Sequence, residues 1–421
     1  MKHSIEWQDD AINAAPEEKA TVGDLRLIVD GKNATHHLFE GNVGDHVTVA
    51  LYGLVLGLAH DWWRIFGERD HSISLAKYRS GYLLPDVRLQ FDGAAFEVAV
   101  HQRAYDNPDV RFWGGMVEVM SRADGEAWLT SFIEEVLDRL TAAGLGDTSA
   151  HLRWRRVRAS CRMKEEKAFC EAVGSLGLDP YQISEEVAAF VEEAEEVFSD
   201  KEALIEFVSG SGETDKRKLM SWVQRMARTA AGSYRLADLR AVVSEVAAVT
   251  SARAEEPAWA LGYRRAQSMR RACGLEQNHR FTSFKHLAER FGAGQSYSLA
   301  PTVDGINALR RDRPDGVHIH LRNHGDSAEA RASHLFAMAR AIGDAACFPQ
   351  TGMAPINGLQ RAFRQSAGRA FAAEFLAPID EVMSMRSDRR DVFSIANEFA
   401  VSPALVERQI ENRSRIKQAC E

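Results

Sequence analysis

A chain of 421 residues with 45% hydrophobic and 27% charged side chains can bury a core and keep a solvated surface, which excludes wholesale disorder. With 60 acidic against 52 basic residues the formal charge is -8, so no global attraction draws it to nucleic acid. The most apolar stretch, His46 to Phe66, is broken by His60, Asp61 and Arg64 and falls short of the roughly 20 uninterrupted residues that span a bilayer. The start, MKHSIEWQDD, turns acidic where a signal peptide needs an apolar stretch, which predicts a cytoplasmic protein with no membrane partner. Its 5 cysteines are scattered and never spaced CxxC, which argues against a disulfide frame or a cysteine zinc site.

Taken in order, residues 1–150 mix strand and helix signals. Apolar residues alternate in VRLQF and FEVAV around the turn FDGA, so Val87 to Val100 reads as a β-hairpin. The long text WLTSFIEEVLDRLTAAG reads as a helix. Residues 1–150 are therefore an α+β module of no recognised family. From 151 to 275 the apolar residues recur at three and four, as in ISEEVAAFVEEAEEVF and LMSWVQRMARTA, which predicts a helical connector without β-sheet. Breaks between its helices are expected at Ser209 to Lys216 and Ser251 to Pro257. From 276 to 421 the order is helix (FKHLAERFG), short apolar turns, strand (GVHIHL), helix (EARASHLFAMARAIGDAACF) and a helix stopped by Pro378. A closing helical pair, SIANEFA and PALVERQIEN, completes it. The expected fold class is α+β, predominantly helical.

Three texts in the last third carry a resemblance: FAMARAIGD (Phe336 to Asp344), QSAGRAFAAEFLAP (Gln365 to Pro378) and IANEFAVSPALVERQIEN (Ile395 to Asn412). In order and spacing they resemble the ImmA/IrrE family of zinc metallopeptidases, with FAAEFLAP the most specific match. The resemblance implies a zincin-like fold for 276–421. In that family an HExxH helix holds zinc through two His four residues apart, with the Glu activating water and a third ligand from the next helix. Carried onto this chain, the first His position is Arg340, the Glu is Ala341, the second His is Asp344 and the third ligand is Gln365. A guanidinium repels zinc, alanine accepts no proton, and Gln is a weak donor. Asp344 alone remains a plausible ligand, so no metal, no cofactor and no catalytic residue is expected at this degenerate site. An Arg340–Asp344 ion pair, four residues apart on one helix face, is expected in its place; a purely structural role is favoured for it, beside the functional reading of a cleft turned binding groove with a fixed charge.

The resemblance thus implies a pseudoenzyme: a catalytically inactive, regulatory recognition protein acting through protein–protein interaction. The family's habits suggest a helix-turn-helix transcriptional regulator as partner, in phage defence, bacterial defence more broadly, or a toxin–antitoxin pair. Two alternatives stand beside it. His318 and His320 alternate in GVHIHL and share a strand face, which makes them candidate ligands of a relocated metal site, with Asp344, in a metal-dependent hydrolase. As polar residues in alternation they also suit an exposed strand edge. Arg153, Arg155, Arg156, Arg158 and Arg162, interleaved with Trp154, form a candidate nucleic-acid patch. The blander reading, that they neutralise the acidic helix that follows, is favoured, as a structural role is for the helix-turn-helix text at Ile395 to Asn412.

Overall fold

The computed structural model of the protein describes residues 1–9, 14–102, 110–230, 232–249, 256–294 and 298–420. Helices and antiparallel strands are mixed, as the α+β class requires. Two compact units emerge, Met1–Ala188 and Ala189–Glu421. Of the expected helical connector, Ser149–Ser160 and Lys164–Ser175 lie in the first unit and the helices from Lys201 onward in the second. Among the described residues no helix is long and apolar enough to cross a membrane.

In the first unit, alternation makes the hairpin read from it. Asp86–Phe91 pairs antiparallel with Ala95–His101, Phe91 opposite Phe96, and Met116–Ser121 adds to its edge. The helix Arg122–Ala142 starts where the Ser121 hydroxyl accepts the Asp124 amide, and it buries Trp128, Leu129, Phe132, Ile133 and Val136. Both tryptophans of the HDWW text are core: Trp62 meets Trp154 edge to face at 5.0 Å, and the Trp63 indole donates to the Tyr181 hydroxyl.

The second unit supplies the elements that matter below: α1 (Lys201–Ser211), α2 (Lys216–Arg228), β1 (Tyr234–Leu236), α3 (Leu239–Val249), α4 (Ala258–Ala272) and α5 (Phe284–Glu289). They are followed by β2 (Ala308–Arg313), β3 (Gly316–Leu321), α6 (Ala328–Cys347), β4 (Met353–Ile356) and α7 (Phe363–Leu376). The unit closes with α8 (Ile379–Ser387), α9 (Val392–Phe399) and α10 (Pro403–Cys420). The break between α1 and α2 falls where the sequence places it, with the Asp215 carboxylate capping α2. The second expected break, Ser251 to Pro257, lies largely outside the described residues.

Strand β1 corrects the expectation of an all-helical middle. Its three residues bury Tyr234 and Leu236 on one face and pair with β3, too short a run for periodicity to reveal. The antiparallel sheet runs β1-β3-β2-β4. One face, carrying Tyr234, Leu236, Ala308, Ile319, Leu321 and Ile356, joins Leu335, Met338, Ala339 and Ile342 of α6 in a single core. Pairing Arg310 with Ile319 puts Arg310 on that inner face and Arg311 on the outer one.

Helices α4 and α7 cross so closely that Gly262 has no room for a side chain. A Cβ there would lie 2.4 Å from the Ala367 carbonyl oxygen and 2.7 Å from the Ala370 Cβ. Gly262→Ala is therefore expected to lose about 1–3 kcal/mol, although alanine is the better helix former. A lowered denaturation midpoint at unchanged slope in urea checks this; an unchanged or raised midpoint contradicts it.

Candidate functional site

Arg340, Ala341 and Asp344 lie on α6 and Gln365 on α7, and all four are buried. The two helices do bring Arg340 and Gln365 together: Arg340 Nη2 donates to Gln365 Oε1 and to the Asn357 carbonyl oxygen, each at 2.7 Å. The Gln365 amide then donates to Glu206 Oε2 at 2.7 Å and to the Pro355 carbonyl at 2.9 Å, and the Asn357 side chain donates to the Glu206 carbonyl. Glu206 comes from α1, so a helix of the expected connector closes over these positions. They form a sealed polar core rather than an open cleft.

The expected Arg340–Asp344 ion pair does not form. Two other guanidiniums take the Asp344 carboxylate: Arg364 donates through Nε and Nη2 at 2.5 and 2.8 Å, and Arg310 through Nε at 2.7 Å. A bidentate fork from the facing helix outcompetes a single contact along one helix. Arg310 also donates to the Thr351 carbonyl, and Arg364 to the Thr351 hydroxyl. Burial pushes the Asp344 carboxyl up, but Arg364 and Arg310 more than offset it and hold it below the usual carboxylate range. Arg340 is driven down by burial and by Arg369, with Glu206 and Asp344 opposing. Burial raises Glu206 to about 7 against the pull of Arg364 and the hydrogen bond from Gln365.

This donor set does not fit a zinc ion. Arg340 is a cation, Gln365 Oε1 already accepts from Arg340 and from the Asn357 amide, and both Asp344 oxygens are taken by arginines. The residues missed from sequence are Arg310, Arg364, Asn357 and Glu206. Two left a signal: Arg364 directly precedes Gln365, and Glu206 interrupts the apolar run LIEFV.

His318 and His320 are buried, which corrects the exposed-edge expectation, because β3 is central, between β1 and β2. They also stand on the outer sheet face, while Arg310, which binds Asp344, stands on the inner one. The sheet thus separates both histidines from Asp344, and the relocated metal site is not assembled. No group of three or more His, Cys, Asp or Glu side chains that could hold a metal occurs among the described residues.

The arginine run forms one helix, Ser149–Ser160, of the first unit. Arg153 is buried, paired with Asp179 through both Nη atoms at 2.9 Å and donating to the Ala59 and His60 carbonyls. Arg155 pairs with Asp147, Arg158 approaches Glu134 at 3.8 Å, and Arg156 lies 4.0 Å over the Tyr181 ring. Three of the five charges thus meet carboxylates, of Asp179, Asp147 and Glu134, none of them on the acidic helix of residues 185–197. Arg162, past the helix end, stays exposed.

The open feature of the second unit is a groove of about 750 Å³, lined by neither Arg340 nor Gln365. Its floor and walls come from the first turns of α6, the outer side of α7 and the α9–α10 turn, where Ala400 adopts φ 54°. Small residues dominate, among them Ala332, Ala370, Ala373 and Ala404, with Leu335, Phe336 and the half-exposed Trp259 supplying bulk. Arg331, Arg369 and Arg408 stand in its lining against Glu329 alone. The helix-turn-helix text thus shapes a groove wall, and its Leu405 and Val406 belong to the core.

No known family, curated protein or solved structure matches the chain. Its function is therefore read from these residues and from the resemblance in three of its segments.

Asp344→Asn leaves two buried guanidiniums without their carboxylate and is expected to cost about 3–5 kcal/mol. Urea denaturation at neutral pH measures it, and a loss below about 1 kcal/mol would contradict the pairing. Glu206 gives a pH signature of the opposite kind. Its folded pKa of about 7 lies above its ordinary 4.5. Protonation therefore favours the folded state, and this contribution is full below about pH 4.5 and lost as pH rises through 7. Glu206→Gln should remove that decline, on the order of a few kcal/mol, and flatten the stability profile between those pH values. A profile with the same slope in both proteins would refute the assignment.

Proposed function

We propose that the second unit is a metallopeptidase-like module of the ImmA/IrrE type that recognises a protein partner without cutting it. One observation carries this: Arg340 and Gln365 meet across α6 and α7 at 2.7 Å, as the first and third ligand positions of such an enzyme would, yet as a cation and an amide in a closed network. Arg340, Ala341 and Gln365 there offer neither a zinc ligand set nor a general base at the family's Glu position. Recognition is then left to the groove beside α6 and α7.

The groove's chemistry describes its occupant. A floor of alanines and serines lets a helix approach closely, and Leu335, Phe336 and Trp259 offer apolar contact. Three arginines against one glutamate favour acidic flanks on that helix. A helix-turn-helix regulator as partner, and with it a setting in phage defence or a toxin–antitoxin pair, rests on analogy with the family. The hydrolase alternative is not favoured, since the sheet separates His318 and His320 from Asp344. Nor is the nucleic-acid alternative at Arg153 to Arg162, where Asp179, Asp147 and Glu134 meet the charge.

A photo-crosslinking residue at Ala404, exposed on the groove wall, should trap a discrete protein in cells, and Ala332→Trp, which fills the groove, should abolish the capture. Incubated with zinc, the purified chain should leave the trapped protein intact. Cleavage would sink the non-catalytic reading, and capture that survives Ala332→Trp would sink the groove.

A further inference from the structure

The outer face of the sheet in the second unit gathers positive charge that one carboxylate among the described residues, Asp315, meets only in part. Arg235 of β1 and Arg311 of β2 both stand opposite His318 of β3, which places their side chains on one face. Arg313 and His320 share that face two residues from the Arg311–His318 pair in opposite directions, Arg313 opposite Gly316 and His320 opposite Leu309, and the charges of both Arg313 and Arg311 act on the His320 ring. Asp315 is the carboxylate that reaches the cluster: it pairs with His318 at 3.1 Å and lies 3.9 Å from Arg235, leaving Arg311 and Arg313 unmatched. Arg311 makes no hydrogen bond or ion pair among the described residues, although it is half-buried and its Nη1 is fully enclosed. Among the described residues Arg313 reaches the carbonyls of Ala227 and Arg228 at the end of α2, at 3.5 and 3.4 Å, and its Nε makes no hydrogen bond.

His320 adds the independent observation. It is completely buried, and neither ring nitrogen has a hydrogen-bond partner of normal geometry; the Gly232 backbone is the polar group nearest to answering it. A buried imidazole without partners is costly unless something else satisfies it. Burial, His318, Arg313 and Arg311 together hold its pKa down to about 4, so it is neutral and offers one N–H. A metal cation is the wrong ligand here, because two guanidiniums repel it.

We propose that Arg311, Arg313 and His320, with the Gly232–Ser233 turn above them, form a binding site for the phosphoryl group of a small phosphorylated ligand. A tetrahedral dianion accepts from two guanidinium forks and one imidazole N–H at once, and it supplies the charge the face lacks. The enclosure sets the size. His318 and His320 are buried and Arg311 and Arg313 half-buried, which suits one phosphoryl group, whereas a nucleic-acid strand needs a row of exposed cations.

Isothermal titration of the full chain with inorganic phosphate, in chloride at matched ionic strength, tests it. Saturable one-to-one binding is expected, weakened about tenfold or more by R311Q and unchanged by R331Q in the groove lining. Thermal melting in chloride separates ligand loss from misfolding. If R311Q fails to fold, R311K decides, since it keeps the charge, loses the fork and should bind more weakly than the natural protein. No saturable binding up to ~10 mM, or equal affinity across the natural protein, R311K and R311Q, overturns the site. Single-stranded DNA that binds in an Arg311-dependent way while inorganic phosphate does not would assign the recognised phosphate to nucleic acid and overturn the small-ligand proposal.

Discussion

The second unit is organised around one buried carboxylate held by two guanidiniums. Asp344 on α6 receives Arg310 from β2 and Arg364 from α7, and the same arginines reach Thr351 in the segment before β4. One charge cluster thus fixes a strand, two helices and a connecting turn relative to one another. Two further carboxylates relieve the excess charge from the margin, Asp312 on Arg310 at 3.0 Å and Asp200 on Arg364 at 3.6 Å. A buried network of this kind adds less to net stability than its Coulomb energy suggests, because each ion is stripped of water. Its value is specificity: a neighbouring register of α7 would put Gln365 or Phe363 opposite Asp344 and leave a charge unmet.

What could be read from sequence came from periodicity and caps. The hairpin of 86–101, the long helix before 142, α6, α7 and the α9–α10 pair all carry strong alternation or three-and-four spacing. The strands β1, β2 and β4 did not show themselves. β1 has three residues, β4 contains Pro355, and β2 reads ALRRDR, where Arg310 is an inner-face residue disguised as a surface one. At the site, the approach of 340 to 365 was expected only as what the family resemblance implies, since the two positions stand on different helices 25 residues apart. The partner of Asp344 was not, since charge pairing is decided in three dimensions by Arg310 and Arg364, which lie 34 and 20 residues away.

The second unit therefore carries its polar features in three separate places with different chemistry. The core network of Glu206, Arg340, Asp344 and Gln365 is closed and satisfied, apart from Arg340 Nε. The groove of α6, α7, α9 and α10 is open and mainly apolar. The outer face of the sheet is basic and undersupplied with acceptors. A network that meets its own needs acts as scaffold, and ligands are expected where surfaces remain incomplete.

Glu206 sits 70 residues before position 276, yet it closes the network that joins α6, β4 and α7. A fragment cut at residue 276 would keep α6 and α7 yet lose one of the two acceptors of Gln365 Nε2 and the acceptor of Asn357 Nδ2, together with the carboxyl group that faces Arg340 across Gln365. Such a fragment would expose a charged interior to water and swell open around Arg340 and Gln365. The folding body that holds α6 and α7 therefore reaches upstream to α1, whose Glu206 supplies acceptors inside it.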